Sequence, residues 1–179
     1  MICTAWVRIV TSVSRNEDMT QHFKSYRTDS EQATYELGQL LAQQLQAGDV
    51  VLLYGSIGAG KSVMARAIGE ALGVSRWSGS PTFSLVHEYG TVPPFYHVDL
   101  YRLSAGEVAD LGLSEYAQND GILAIEWADR AEGGLLRDLS TGRAITIELA
   151  YSGEDSREVR ISGPPALIAE PAVPVENGR

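Results

Sequence analysis

The run Val50-Val51-Leu52-Leu53-Tyr54 stops at Gly55, and within a few residues the chain passes three glycines to reach Lys61. A near-continuous apolar run suits a strand covered on both faces, as in a parallel sheet. From Lys61 the pattern turns helical and continues to Leu72, where Gly73 supplies a stop. A strand, a glycine-rich turn and a helix in this order restrict the fold more than any other feature of the chain.

Gly55-Ser56-Ile57-Gly58-Ala59-Gly60-Lys61-Ser62, with Val63 after it, satisfies G-x-x-x-x-G-K-[ST]. Glycines let backbone N–H groups curl around phosphate oxygens without side chains in the way. The helix that starts near Lys61 aims its positive end at the same place. Lys61 is suited to the β- and γ-phosphates and the Ser62 hydroxyl to Mg²⁺. Average composition would produce this pattern by chance in about one chain in a hundred of this length. The strand before it and the helix after it make a bare structural turn the weaker reading.

The rest of the chain supports an α/β domain. Residues 22–28 read as a short strand. A helix signal follows at Asp29 with Gln32 three residues later, resembling a capping box, and Gly48 is its expected end. Phe95–Val98 and Ile122–Ile125 are further apolar runs, ending at Asp99 and Glu126. Glu107–Tyr116 is helical in part, and AITIELAY and REVRIS read as two late strands around an SGEDS turn. Alternating strands and helices predict a three-layer sandwich with a mostly parallel central sheet flanked by helices. Residues 22–162 are the expected single domain. Residues 1–21 are expected to be an extension, either disordered or not native, with Met1 and Met19 both open as translation starts. Residues 163–179 carry four of the seven prolines and are expected to be disordered.

At 179 residues the chain is long enough for one domain with a sizeable core, and 44% apolar with 21% charged residues is ordinary for a soluble protein. The net charge of −9 argues against unaided binding to nucleic acid. A single cysteine, Cys3, excludes an internal disulfide and the usual zinc spacings, and fits a reducing cytoplasm. No apolar run is long enough to span a bilayer.

A phosphate loop needs a carboxylate at the end of a neighbouring strand to hold the metal. Asp99 and Glu126 both qualify by position. Thr82, in the Ser80-Pro81-Thr82 turn, reads either as a γ-phosphate or Mg²⁺ sensor or as a plain turn residue. His97 reads as a strand residue, Trp127 as core, and Arg66 as exposed. An Asn-Lys-x-Asp motif for guanine is missing. A small-molecule P-loop kinase remains the rival, although no lid insertion rich in arginine is evident.

Taken together, Leu53–Ser62, SPTFSLVHEY from Ser80, YHVDLYRL from Tyr96, LGLSEY from Leu111 and Ile125-Glu126-Trp127 resemble the TsaE (YjeE) family, across about residues 25–162. These are small bacterial P-loop ATPases of tRNA threonylcarbamoyladenosine (t6A) synthesis. The resemblance implies ATP and Mg²⁺ as cofactors and slow hydrolysis by the isolated protein. It implies TsaD and TsaB as partners, tRNA reached only through them, and a cytoplasmic location. The ATP cycle would reset that assembly between turnovers without performing the threonylcarbamoyl transfer. By the same resemblance Lys61, Asp99 and Glu126 form the catalytic set, and Ser62 and Glu126 the metal set. Thr82 falls in a first switch-like loop, Asp99 in a second, and Trp127 beside the nucleotide. Ser56 and Ala128 depart from the family's frequent aspartate and proline, and neither removes a group that the chemistry needs.

Overall fold

The computed structural model describes residues 7–10, 22–81, 85–118, 120–131 and 143–164. Among the described residues eight strands form one sheet: β1 (Val7–Val10), β2 (His22–Thr28), β3 (Asp49–Tyr54), β4 (Val86–Tyr89), β5 (Phe95–Asp99), β6 (Ile122–Glu126), β7 (Arg143–Tyr151) and β8 (Arg157–Gly163). Their spatial order is β1-β2-β8-β7-β3-β6-β5-β4. The central four, β7, β3, β6 and β5, run parallel, and the pairings outside them are antiparallel. The parallel core is where the apolar runs lie, as expected for strands buried on both faces.

β3 shows how the layers arise. Val51 and Leu53 point into one apolar cluster, with Leu37 and Leu41 of helix α1 (Glu31–Ala42) and Met64, Ala65 and Ile68 of α2 (Lys61–Ala71). Val50 and Leu52 point into the other, with Val108 of α3 (Ala105–Asp110) and Leu113 of α4 (Leu113–Gln118). Alternation along one strand therefore welds helices to both faces, giving the three layers. Val50, Val51 and Leu53 are completely buried. Burying side chains of this size contributes roughly 1.5–3 kcal/mol each before the cost of ordering the chain.

Two local readings shift. The cap of α1 is Ser30 rather than Asp29: Ser30 has extended backbone at φ −158°, and its Oγ accepts from the Ala33 N–H at 3.2 Å. Asp29 instead accepts from the Ser30 hydroxyl at 3.3 Å, and Gln32 bonds Glu36 one turn on at 3.1 Å. The helix also ends at Ala42, well before Gly48. Gly48, at φ +86°, lies in the turn into β3 and donates its N–H to the Gly121 carbonyl at 2.7 Å. Within the expected N-terminal extension, Val7–Val10 lies along β2 as an edge strand.

Candidate functional site

The sheet register sets the site. Asp99 at the end of β5 pairs with Glu126 at the end of β6, and Glu126 pairs with Leu53, two residues before the glycine loop. Both carboxylates thus sit in one row at the C-terminal edge of the parallel strands, where ligands bind in open α/β sheets. Ile57, Gly58, Gly60, Lys61, Ser62, Val63, Asp99, Glu126 and Trp127 line one cleft of about 310 Å³, together with Glu31 and Tyr101.

The remaining loop residues serve it from behind. The Ala59 side chain is buried in the apolar cluster beneath the loop. Gly55 and Ser56 turn their carbonyls to the Lys61 ammonium, at 2.7 and 2.9 Å from Nζ. Gly55 could not be another residue: its φ is +142°, and a Cβ would press on the Leu149 carbonyl. The loop is also held from outside by the β7–β8 hairpin. The Tyr151 hydroxyl donates to the Ile57 carbonyl at 3.1 Å, and an Arg157 N–H donates to the Gly58 carbonyl at 3.4 Å. The Arg157 guanidinium in turn lies 4.2 Å from the centre of the Tyr151 ring.

Lys61 is only 4% exposed, and its ammonium lies 3.6 Å from the centre of the Trp127 ring. Burial pulls its pKa down, opposed by the negative fields of Glu126, Asp129 and Asp99. No carboxylate among the described residues lies within ion-pair distance of it. Trp127 keeps its place through left-handed backbone, φ +58° and ψ +44°, which turns the chain sharply after Glu126. The Tyr101 ring covers it at 4.7 Å.

Glu126 is 1% exposed and divides its oxygens. Oε2 accepts from the Ser62 hydroxyl at 2.7 Å, and Oε1 lies 2.8 Å from Nε2 of His97. Asp99 is fixed differently: Oδ1 accepts from the Tyr101 N–H at 2.9 Å, and Oδ2 accepts from the Ser80 hydroxyl. Asp99 therefore ties the end of β5 to the segment leading into the expected first switch-like loop. Thr82 lies outside the described residues.

A polyphosphate fits this donor set. The α2 N-cap, Gly60, offers no side-chain cap, and no acidic residue occupies the first turn of that helix. The N-terminal end of this helix and Lys61, whose ammonium meets carbonyls and an indole but no carboxylate among the described residues, line the cleft, and both favour an anion. The Ser62 hydroxyl and Glu126 carboxylate are hard oxygen ligands suited to Mg²⁺. Among the described residues there is no cluster of three or more His, Cys, Asp or Glu able to hold a metal unaided. Mg²⁺ takes one or two protein ligands and completes its shell with phosphate and water.

The sequence matches the family described as threonylcarbamoyl adenosine biosynthesis protein TsaE over residues 28–159. The chain belongs to this family. It is 38% identical over 148 residues to the TsaE protein of Nostoc sp., covering 79% of this chain and 86% of that one. It is 36% identical over 135 residues to the TsaE protein of Bacillus subtilis, covering 75% and 82%. A crystal structure of Bacillus subtilis YdiB superposes with a TM-score of 0.66 at 29% identity, across 82% of this chain and 88% of that one. The family match spans the phosphate loop and both carboxylate strand ends.

Sequence reasoning missed several residues that the fold brings to this TsaE-family cleft. His97 is completely buried against Glu126, more than a strand residue. Its position two before Asp99, on the same face of β5, was the available signal. Ser80 and Tyr101 flank Asp99, and Glu31 comes from the first turn of α1. Tyr151 and Arg157 lie roughly 90–100 positions from the loop they hold, and nothing local marks them. Arg66 is exposed as expected and pairs with Glu70 at 2.8 Å.

Proposed function

We propose that this TsaE-family chain is a Mg²⁺-dependent ATPase of tRNA t6A modification that acts with TsaD and TsaB and lets their assembly turn over repeatedly. The observation that carries this reading is the Ser62–Glu126 hydrogen bond. It joins the hydroxyl of a phosphate loop to a buried carboxylate, at the sheet edge where a metal would sit.

Bound ATP would supply the transferable phosphoryl group, and Mg²⁺ would spread charge over its oxygens. The chain's own residues would do the rest. Backbone N–H groups from Gly58 to Lys61 and the Lys61 ammonium would stabilise the negative charge. Ser62 and Glu126 would hold the metal, and Asp99 would orient water or link to Mg²⁺ indirectly. Among the described residues no arginine lines the cleft. A group supplied by a partner accelerates such hydrolysis by about 10³–10⁵-fold in related chemistry, so slow hydrolysis by the isolated protein is expected. No described helix is long and apolar enough to cross a membrane. A cytoplasmic location is part of the proposal, as the family resemblance implies.

The test is a multi-turnover t6A assay with cognate TsaD and TsaB, threonylcarbamoyl donor, unmodified tRNA and ATP. Modification beyond one round is expected with the intact protein and lost with Lys61→Ala and Glu126→Gln. ATP hydrolysis in the assembly should fall by about 10²-fold or more for either variant. Equal product with and without the protein would reject the reading, and phosphate transfer to an added small acceptor would favour the kinase.

A further inference from the structure

His97 has no part in the chemistry described so far, yet it is the completely buried neighbour of a buried carboxylate. It stands in the middle of β5, opposite Ala124 of β6, and its ring leans diagonally toward Glu126. Its exposure is 0%, against 1% for Glu126. Nε2 lies 2.8 Å from Oε1 of that carboxylate, while Oε2 takes the Ser62 hydroxyl at 2.7 Å.

The other ring nitrogen shows where the proton is. Nδ1 is buried and has no hydrogen-bond partner among the described residues. A proton there would leave a buried donor unsatisfied, whereas a bare nitrogen leaves only an unfilled lone pair. The neutral ring with its proton on Nε2 is therefore the form that fits, and Nε2–H donates to Glu126. The ring is also clamped. Trp77 stacks on it at 4.8 Å between centroids, with Tyr89 stacked on Trp77 at 5.5 Å, and His87 meets its edge at 6.4 Å.

We propose that His97 is a positioning residue for the metal side of the cleft: its Nε2–H holds one oxygen of Glu126 so that the other is presented to Ser62 and to Mg²⁺. A carboxylate anchored at one oxygen cannot turn about its own axis. Outer partners of this kind orient metal ligands, and their loss typically weakens metal binding by about 10–100-fold. The proposal rests on the nucleotide and Mg²⁺ reading of the site, and it adds that the metal's grip is set from the core, through a side chain that never meets the ligand.

The experiment compares wild type, His97→Phe and His97→Gln. Phe keeps the ring for Trp77 and removes the donor. Gln carries an amide N–H the same number of bonds from Cβ as Nε2. Affinity for a non-hydrolysable ATP analogue is measured by calorimetry in EDTA and in excess Mg²⁺. The Phe protein should keep the metal-free affinity within about twofold and lose about 10–100-fold of the affinity that Mg²⁺ adds, with Gln recovering most of it. An unchanged Mg²⁺ contribution in the Phe protein would overturn the proposal, as would a Gln protein no better than Phe. A wild type that binds no nucleotide under either condition would remove the reading beneath it. Independently of any variant, nitrogen-15 spectra of the wild type should show His97 protonated at Nε2 alone, and a proton on Nδ1 would overturn the assignment.

Discussion

At the scale of single residues, the phosphate loop is shaped as much by what stands behind it as by its own composition. Gly58 has φ +73°, and a Cβ there would strike the Tyr151 hydroxyl. Gly58→Ala therefore meets two obstacles, a left-handed backbone and an occupied space. Strain of this kind costs about 1–3 kcal/mol. The expected result is a lower melting temperature and a nucleotide affinity reduced about tenfold. Adding Tyr151→Phe removes the hydroxyl but leaves the backbone strain. The double variant should regain part of the lost stability, which a double-mutant cycle by thermal denaturation would read directly. Strict additivity of the two substitutions would show that the hydroxyl does not limit the position.

At the scale of elements, the join between α1 and α2 determines how firmly the loop's helix is seated. Gly38 lies where a Cβ would come within 2.7 Å of the Ala67 Cβ and 3.0 Å of the Met64 sulfur. Gly106, in α3, has nothing within 4 Å of such an atom. The same substitution should thus have opposite signs. Gly38→Ala should destabilise by about 1–3 kcal/mol through overpacking, despite a better helix propensity. Gly106→Ala should be neutral or slightly stabilising. Urea denaturation of the two variants checks both.

The same elements show what could be read from the chain. β3, β5 and β6 were legible because burial on both faces leaves an unbroken apolar run, and Asp99 and Glu126 were legible because they end such runs. The end of α1 was not, since Leu45 continues the apolar spacing beyond the last helical turn. Nor were the outer supports of the loop. The Tyr151 and Arg157 contacts depend on the hairpin of β7 and β8 folding back beside β3, which no local pattern encodes. His97 fell between these cases, visible in position but silent about its partner until β5 and β6 were in register.

At the scale of the whole molecule, the charge of −9 sets how the chain meets its surroundings. A net acidic surface repels a polyanion, and phosphate contacts dominate nucleic-acid affinity. The isolated protein should show no tight binding to tRNA at physiological salt, and the assembly with the proposed partners should bind it. A gel-shift or anisotropy titration decides it, and tight binding by the purified protein would mean a basic face that net charge conceals.

The position of Lys61 has a consequence at this same scale. With its ammonium held by two carbonyls of its own loop and by an indole face, the cleft already contains an internal counterpart for the cation. Entry of a ligand is then a replacement, in which bonds within the protein are exchanged for bonds to the newcomer. A group with one acceptor oxygen in reach cannot match what it displaces. A chain of phosphates, engaging the helix end, the cation and the Ser62–Glu126 pair together, can. On the proposed nucleotide reading, the lysine would act as a threshold, favouring a ligand long enough to satisfy everything it disturbs over a small anion.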